Sequence, residues 1–404
     1  MSACKSRSKR CPCPLAHNRG VRILHVVPTY LPARRYGGPI VAVHGLCKAL
    51  AAHGHEVDVF TTNVDGDGTL DVPLGTPVER DGVHIRYFAS PFPRLYWSPQ
   101  MRKSLGADVR TYDLVHSHAI WLWPGAAAAR AARNANVPYV ISPRGMLVPE
   151  LIREKSALVK RAWLALVERR VFAHASAIHF TSQLEWDDAK RTGAVPLPDP
   201  FVVPNGIELE PRPSIERETN TIVFLGRINW KKRLDVVIES LPPNARLKIA
   251  GNDEENLTPR LRAIANERVE FLGPVYGAAK NELLASATMF VLPSLSENFG
   301  NVVLEALMME TPVIVTPGVG LADEVARANA GIVTNDVGGA MAELLADSAK
   351  RAELGANGRA LVERRFAWER VAAEMEEAYE LAVGSSQSAG DDGSSANCRP
   401  PTAD

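Results

Sequence analysis

Two glutamates and the loop between them are the residues of this chain best suited to chemistry. Glu297 and Glu305 lie eight positions apart in SENFGNVVLEAL, which follows the apolar run MFVLP and predicts a helix that begins near Asn301. The free N–H groups and positive dipole at a helix start bind phosphate oxygens, and Gly300 lets a ligand approach the backbone. The carboxylates would then accept hydrogen bonds from sugar hydroxyls. A helix cap and a surface glutamate explain the spacing equally well.

A cluster of positive charge follows an earlier apolar run. Arg227 and Lys232 lie in FLGRINWKKRLD, between a predicted strand and the next predicted helix. Two cations at such a place would neutralise a diphosphate leaving group while the bond to it breaks. The alternative is a solvated basic turn, which is common for a run such as KKR.

The first half of the chain has candidates near the ends of its own predicted strands. Gly37 and Gly38 precede a helical pattern that has Pro39 at its start, so they allow close approach of a phosphate, begin a helix, or do both. His118 ends a strand, and Arg144 follows the next one in SPRGML. Ligands bind beyond the carboxyl ends of parallel strands. A structural histidine and a loop arginine paired with a carboxylate remain the alternatives.

The sequence predicts no metal site. Asp65 and Asp67 superficially match an Asp-x-Asp metal motif, but glycines flank them directly after a strand, which indicates a turn. No further set of oxygen ligands of the kind that hard cations require accompanies them. Gly318 and Gly320 do not form a dinucleotide-binding motif, and a Walker A pattern does not occur.

Short apolar strands alternate with helical patterns in two sets, which a proline-rich segment at 196–214 separates. This alternation predicts parallel sheets covered on both faces, so the fold class is α/β with two Rossmann-like, doubly wound domains that face a cleft. The two polar ends show no apolar periodicity and are predicted to be flexible or disordered. The predicted segments are a basic tail at 1–20, an N-terminal domain at 21–204, a C-terminal domain at 205–365, a final amphipathic helix at 366–383 and a tail at 384–404.

The composition excludes several classes of protein. With 46% hydrophobic and 23% charged residues, the chain is not a disordered polymer, a collagen or a coiled-coil rod. No apolar run reaches the roughly 20 residues that span a bilayer. The balance of 46 basic and 46 acidic residues argues against a nucleic-acid binder. The five cysteines have neither disulfide nor zinc spacing, which favours a reducing, cytoplasmic compartment.

The segment 151–172 is a basic amphipathic helical pattern with two interpretations. Its cations would meet anionic lipid while leucines and Trp163 insert. Alternatively, it is an ordinary helix packed on its own sheet. The cations are Lys155, Lys160, Arg161, Arg169 and Arg170.

The Glu-x7-Glu pattern with its internal Phe-Gly resembles the signature of retaining glycosyltransferases of the GT-B type, in the large family four. Further segments resemble motifs of that family in the same order along about residues 20–383. One departure is Arg233, which stands where the family often has glycine. The segments are YGGPIVAVHGLCKAL, DLVHSH, SPRGML, VVPNGIE, FLGRINWKKRLD and FAWERV.

The resemblance implies transfer of a sugar from a nucleoside-diphosphate sugar to a saccharide or lipid-linked saccharide of the cell envelope, without a metal or other cofactor. It places the enzyme in the cytoplasm, with peripheral contact to the inner face of the membrane as an option. An epimerase or phosphorylase of the same fold and a non-catalytic scaffold are the alternatives. The resemblance assigns catalysis to His118, Glu297, Arg227 and Lys232, and an acceptor contact to Arg144. It assigns donor binding to Gly37, Gly38, Arg227, Lys232, Asn298, Phe299, Gly300, Asn301 and Glu305.

Overall fold

Two large, mainly parallel sheets follow one another along the chain of the computed structural model, which describes residues 20–33, 37–149, 152 and 157–391. The remaining residues, which include most of the predicted basic tail and Lys155, lie outside the described part. No helix in the described part is long and apolar enough to cross a membrane. The α/β fold class with two Rossmann-like units is confirmed.

The first sheet has eight strands in the order β10-β9-β8-β7-β1-β2-β6-β5. Every neighbouring pair is parallel except β5 and β6, because β5 is an antiparallel edge strand. A small hairpin of β3 and β4 follows β2. The strands are β1 (Arg22–Val26), β2 (Glu56–Thr62), β3 (Val64–Asp65), β4 (Gly68–Thr69), β5 (Pro77–Arg80), β6 (Val83–Phe88), β7 (Leu114–His118), β8 (Tyr139–Ser142), β9 (Ala177–Phe180) and β10 (Pro200–Val202).

The second sheet has six strands, all parallel, in the order β13-β12-β11-β14-β15-β16. Its central strands β11 and β14 are buried along their whole length, which explains why their sequences are nearly unbroken apolar runs. The strands are β11 (Thr221–Leu225), β12 (Arg246–Ala250), β13 (Val269–Gly273), β14 (Met289–Leu292), β15 (Val313–Val315) and β16 (Gly331–Val333).

Helices connect the strands and pack against the sheets through cores of buried apolar side chains. A π-helical turn, Leu164–Glu168, joins α4 to α5. The helices are α1 (Gly38–Ala52), α2 (Pro99–Asp108), α3 (Trp123–Ala135), α4 (Ala157–Trp163), α5 (Arg169–Ala173), α6 (Gln183–Thr192), α7 (Leu234–Glu239), α8 (Thr258–Ile264), α9 (Gly277–Ser286), α10 (Asn301–Met308), α11 (Ala322–Arg327), α12 (Val337–Ala346), α13 (Ser348–Arg365) and α14 (Trp368–Asp391).

The last helix, α14, follows the second sheet in the chain but packs on the first. Val371, Met375 and Tyr379 are buried in the core between the first sheet and α1. The helix runs to Asp391, so residues 384–391 are helical where the sequence predicted a disordered tail. Extending an existing helix adds one hydrogen bond for each residue fixed, which is far easier than starting one.

Candidate active site

Each sheet reverses its strand order at one place. In the first sheet the chain moves outward from β1 to β2 and then returns to place β7 on the other side of β1. In the second sheet β11 has β12 on one side and β14 on the other. Ligands of doubly wound sheets bind at such switch points, beyond the carboxyl ends of the strands. The loops after β1, β7, β11 and β14 carry most of the predicted site residues.

At the switch point of the second sheet, the loops after β11 and β14 are joined. The backbone N–H of Leu295 donates to the carbonyl of Lys231 at 2.9 Å. The Lys232 ammonium contacts the Glu297 carboxylate directly. Lys232 is only 7% exposed, so this ion pair lies at the base of the loops. The structure therefore brings together the cation and the loop carboxylate that the sequence assigned to catalysis.

Arg227 and Glu305 have different partners. The Arg227 guanidinium donates to Glu254, in the loop after β12, at 3.2 Å. Glu305, in the second turn of α10, pairs with Lys280 of α9 at 2.7 Å. Both side chains keep part of their surface accessible to solvent. Three separate ion pairs around the loop ends thus engage the four predicted charged residues, Arg227, Lys232, Glu297 and Glu305.

The N-terminus of α10 lies against the switch point of the first sheet. Asn301, its first residue, donates from Nδ2 to the carbonyl of Gly38 at 3.2 Å and accepts from Asn205 at 3.0 Å. Both facing helices begin after a glycine with positive φ, at 58° for Gly37 and 95° for Gly300. This left-handed conformation suits glycine because other residues are strained in it. The N-termini of α1 and α10 therefore lie next to each other.

The other two residues predicted to bind the sugar donor, Asn298 and Phe299, make contacts within the protein. Phe299 is buried and packs edge-on against Phe366 at 6.2 Å between ring centroids, so its side chain belongs to the core of the second unit. Asn298 donates from its side chain to Thr181 at 2.8 Å, and its carbonyl accepts from Ser182 at 2.8 Å. Asn298 thus connects the loop after β14 to the end of β9.

His118 ends β7 inside a stack of buried histidines instead of at an open edge. Its Nδ1 accepts from the Arg144 guanidinium at 3.1 Å, so its Nε2 donates to Nδ1 of His25 at 2.9 Å. Burial, and then the Arg144 charge, hold the pKa of His118 well below its usual value. His118 is therefore neutral at neutral pH, and its tautomer is fixed by Arg144.

The rings of His25, His116 and His118 are close enough to hold a metal ion, since their nitrogens lie within 4.8 Å of one another. The donor set does not fit a cation, because both nitrogens of His118 are engaged and the Arg144 guanidinium lies against its ring. Asp65 pairs with Gly68 in the β3–β4 hairpin, which agrees with the predicted turn.

Arg144 is held in place by several neighbours. Its guanidinium also donates to Asn205 at 2.8 Å, and its backbone is left-handed with φ of 55°. Glu185 accepts from the backbone N–H of Gly145 at 2.6 Å and from Thr181 at 2.8 Å, which fixes the loop that carries Arg144. Burial raises the pKa of this carboxyl. Glu185 belongs to none of the motifs selected from the sequence, and Asn205 lies in the VVPNGIE segment but received no predicted role.

Comparison with known proteins covers both units of the chain. The model of the glycosyl transferase 4-like domain family matches residues 37–206, and that of the glycosyl transferases group 1 family matches residues 207–361. A D-inositol 3-phosphate glycosyltransferase of Xylanimonas cellulosilytica is 30% identical, over 86% of this chain and 92% of that protein. An uncharacterized glycosyltransferase of Methanocaldococcus jannaschii is 26% identical, over 87% and 96%.

This chain belongs to the GT-B glycosyltransferases of family four. Solved structures show the same fold. HepE of Anabaena, in complex with UDP and glucose, superposes with a TM-score of 0.67 at 18% identity, over 89% of this chain and 99% of that one. Sucrose-phosphate synthase of Thermosynechococcus elongatus superposes with a TM-score of 0.70 at 20% identity, over 89% and 98%.

The departure at Arg233 gives this glycosyltransferase a strained residue beside Lys232. Arg233 adopts a left-handed conformation, with φ of 47° and ψ of 45°, at the position where the family often has glycine. Such a conformation costs a residue with a side chain about 1–2 kcal/mol. Arg233→Gly should therefore raise the free energy of unfolding by about 1 kcal/mol, as denaturant titration would measure. A decrease would show that the Arg233 side chain contributes more to stability than its backbone strain costs.

Proposed function

We propose that this glycosyltransferase moves a sugar, with retention of anomeric configuration, from a nucleoside-diphosphate sugar to a saccharide or glycolipid of the cell envelope. We place the reaction in the cytoplasm or at the inner face of the membrane. The main observation that supports the proposal is that the switch points of the two sheets lie next to each other. The Lys232–Glu297 ion pair lies in the loops after β11 and β14. Asn301 at the start of α10 bonds the carbonyl of Gly38 at the start of α1.

The proposed donor site uses the two facing helix starts. The diphosphate would bind the free N–H groups of α10, next to the glycine turn before α1. Lys232 would then exchange its contact with Glu297 for a phosphate oxygen, and Arg227 would exchange Glu254 in the same way. The two cations neutralise the charge that develops on the diphosphate as it leaves. The chemistry supplied by these side chains requires no metal ion, and none is part of the proposal.

We propose that the acceptor attacks the face of the sugar from which the diphosphate leaves. The acceptor oxygen forms its bond to the anomeric carbon while the bond from that carbon to the phosphate oxygen breaks. The acceptor proton passes to that phosphate oxygen, so no protein base is consumed. Glu297, released from Lys232, would accept hydrogen bonds from the sugar hydroxyls and orient the ring. Neutral His118 would contact the sugar or the acceptor near the reacting hydroxyl by exchanging the hydrogen bond that its Nδ1 accepts from Arg144 for one from a substrate hydroxyl.

The relatives support a polyhydroxyl acceptor. Several are named D-inositol 3-phosphate glycosyltransferases, so their acceptor is a phosphorylated polyol, and HepE has been crystallised with UDP-glucose. Arg144 places a guanidinium beside His118, in the half of the molecule assigned to the acceptor. A cation there suits an acceptor that carries a phosphate or another anionic group.

A two-step experiment tests the proposed activity. A thermal-shift screen of nucleoside diphosphates and their sugars identifies the donor, because a ligand that binds the folded state raises the melting temperature. Transfer to saccharide acceptors is then followed by NMR of the product's anomeric proton. An inverted linkage would refute the retaining step. Turnover of the donor sugar without an acceptor would favour an epimerase, and binding without turnover would favour a scaffold.

The two glutamates should give different defects. Glu305→Gln should weaken nucleoside-diphosphate binding, because we assign this carboxylate to the ribose. Glu297→Gln should leave that binding equal or tighter, since Lys232 loses the carboxylate that competes with phosphate, and should instead lower kcat. Calorimetric titration with the best-bound nucleoside diphosphate, beside steady-state kinetics, separates the two effects.

Glu363 of α13, which pairs with Arg359 at 2.7 Å on the helix surface, is the matched control for both variants. Glu363→Gln should bind and turn over like the parent. Loss of nucleotide binding in Glu297→Gln, or its preservation in Glu305→Gln, would show that the two roles are assigned incorrectly.

A further inference from the structure

Asn205 lies in the connection between β10 and β11, and both polar atoms of its buried side chain are used. Its Oδ1 accepts from the Arg144 guanidinium at 2.8 Å, and its Nδ2 donates to Oδ1 of Asn301 at 3.0 Å. Asn301 in turn donates from Nδ2 to the carbonyl of Gly38 at 3.2 Å. One side chain therefore connects the arginine of the acceptor side to the start of α10 and, through it, to the start of α1.

The direction of every hydrogen bond in this series is fixed by its two ends. A guanidinium can only donate, and a backbone carbonyl can only accept. Arg144 therefore requires the oxygen of the Asn205 amide, and Gly38 requires the nitrogen of the Asn301 amide. Turning either amide over would place two donors or two acceptors against each other. The series consequently has one hydrogen-bonding pattern, in which each member orients the next.

The backbone beside Asn205 is held by the start of α14. Trp368, the first residue of that helix, packs on Gly206 and on Gly45 of α1. A Cβ at either glycine would overlap the indole, so the ring lies directly against both backbones. Since both its backbone and its amide are held, Asn205 cannot follow one bonded partner without moving the other.

Arg144 carries this constraint to His118. The same guanidinium that bonds Asn205 donates to Nδ1 of His118 at 3.1 Å, and Nε2 of His118 donates to His25 at 2.9 Å. Without the Asn205 oxygen, part of a partly buried guanidinium would lack its acceptor. The position of Arg144, and with it the hydrogen bond that fixes the tautomer of His118, therefore depends on Asn205.

We propose that Asn205 is a positioning residue that couples the diphosphate site at α10 to Arg144 and His118 on the acceptor side. This inference rests on the proposed function. A diphosphate that binds the free N–H groups of α10 engages the turn that Asn301 begins, and the Asn205 amide passes the shift of that turn to Arg144. An occupied donor site thereby orients the guanidinium for the acceptor, and the coupling is reciprocal. We assign no substrate contact to Asn205 itself.

Nuclear magnetic resonance of the full-length protein with isotope-labelled histidine tests the coupling. The probe is whichever of UDP, GDP and ADP raises the melting temperature most. The ring nitrogen signals of His118, identified by their absence from His118→Gln, should shift when this probe saturates the parent. Asn205→Ala should bind the probe within about fivefold of the parent, because it loses no proposed contact to phosphate. Its His118 shift should nevertheless fall by at least about half.

A second variant separates the two contacts of Asn205 and is used where the alanine variant is unstable. Asn205→Asp has nearly the same shape and keeps an oxygen for Arg144, but it offers no donor to Asn301. The link to α10 is then broken while the contact to the guanidinium remains. At saturating probe, Asn205→Asp should therefore show the same reduced shift of the His118 signals.

Kinetics distinguish a positioning role from a purely structural one. Asn205→Ala should lower kcat for sugar transfer by about 10–100-fold, since a misplacement of about 1 Å costs as much. Asn301→Ala breaks the same series one bond further on. The double variant should therefore be about as slow as the slower single variant, whereas independent effects would multiply. Asn357→Ala is the matched control, because Asn357 of α13 donates to the carbonyl of Asn329 at 3.0 Å. It should keep the kcat of the parent.

An undiminished His118 shift in both Asn205 variants, a parent-like kcat in Asn205→Ala, or multiplied losses in the double variant would overturn the coupling. So would an equal loss of kcat in Asn357→Ala. These outcomes leave the proposed function standing, because the parent still binds the nucleoside diphosphate and transfers sugar. A parent that binds none of the three nucleoside diphosphates would instead refute the proposed function, and this inference with it.

Discussion

Lys232→Ala should lower the rate of sugar transfer by about 10²–10³, because one charged contact to a developing anion is worth about 2.7–4 kcal/mol. The contacts of Lys232 in the structure add a second reason for this loss of rate. Lys232 is buried and contacts Glu297, so the alanine removes the cation and also leaves the carboxylate facing the incoming diphosphate. Donor binding should weaken together with kcat, which steady-state kinetics and calorimetric titration would show.

Lys231→Ala is the matched control, since Lys231 is the neighbouring lysine of the same turn. It should keep most of the activity. Transfer by the parent enzyme should persist in excess EDTA, because we assign the neutralisation of the diphosphate to protein cations. Loss of activity in EDTA that magnesium or manganese restores would contradict that assignment. Equal activity in Lys232→Ala and the parent would remove the basis for the proposed donor site.

The fold was predictable because its main strands are buried on both faces. Runs such as TIVFL of β11 and MFVL of β14 are almost continuously apolar, and helical patterns separate the strands. The antiparallel edge strand β5 escaped prediction because its residues PVER are mostly exposed and lack an apolar pattern. The end of α14 escaped for a related reason, since its last residues, GSSQSAGD, are typical of a loop.

The candidate site was predictable only in part. Lys232 and Glu297 are 65 residues apart, and their contact depends on β14 returning to lie beside β11. Motif order alone does not give that adjacency. Phe299 belongs to the motif but serves the core, which spacing does not reveal. Glu185 was missed because its contact with the loop of Arg144 is to the backbone N–H of Gly145, 40 residues away, and its other partner, Thr181, is a neutral neighbour in the sequence.

Removing α14 should have the largest effect on stability. Met375 is fully buried and Tyr379 nearly so, and together with Val371 they cover the apolar side of α1 and the first sheet. Truncating one such side chain to alanine costs about 2–5 kcal/mol, while whole domains are stable by about 5–15 kcal/mol. A chain that ends at Ala367 should therefore fail to fold its first unit, as circular dichroism and thermal melting would show.

Graded variants keep this expectation testable where the truncated chain aggregates. Met375→Ala should lower the free energy of unfolding by about 2–5 kcal/mol, whereas exposed Leu381→Ala should change it by less than about 0.5 kcal/mol. A chain that ends at Val383 should melt like the full chain, because Val383 is the last buried residue of α14 among those whose side chains the structure describes. A parent-like melting temperature for Met375→Ala would show that α14 does not support the first sheet. The Tyr379 hydroxyl bonds Nδ1 of His116 at 2.6 Å, and the centroid of the His116 ring lies 4.1 Å from that of His118. A displaced α14 should therefore also disturb His118 and the acceptor side of the site.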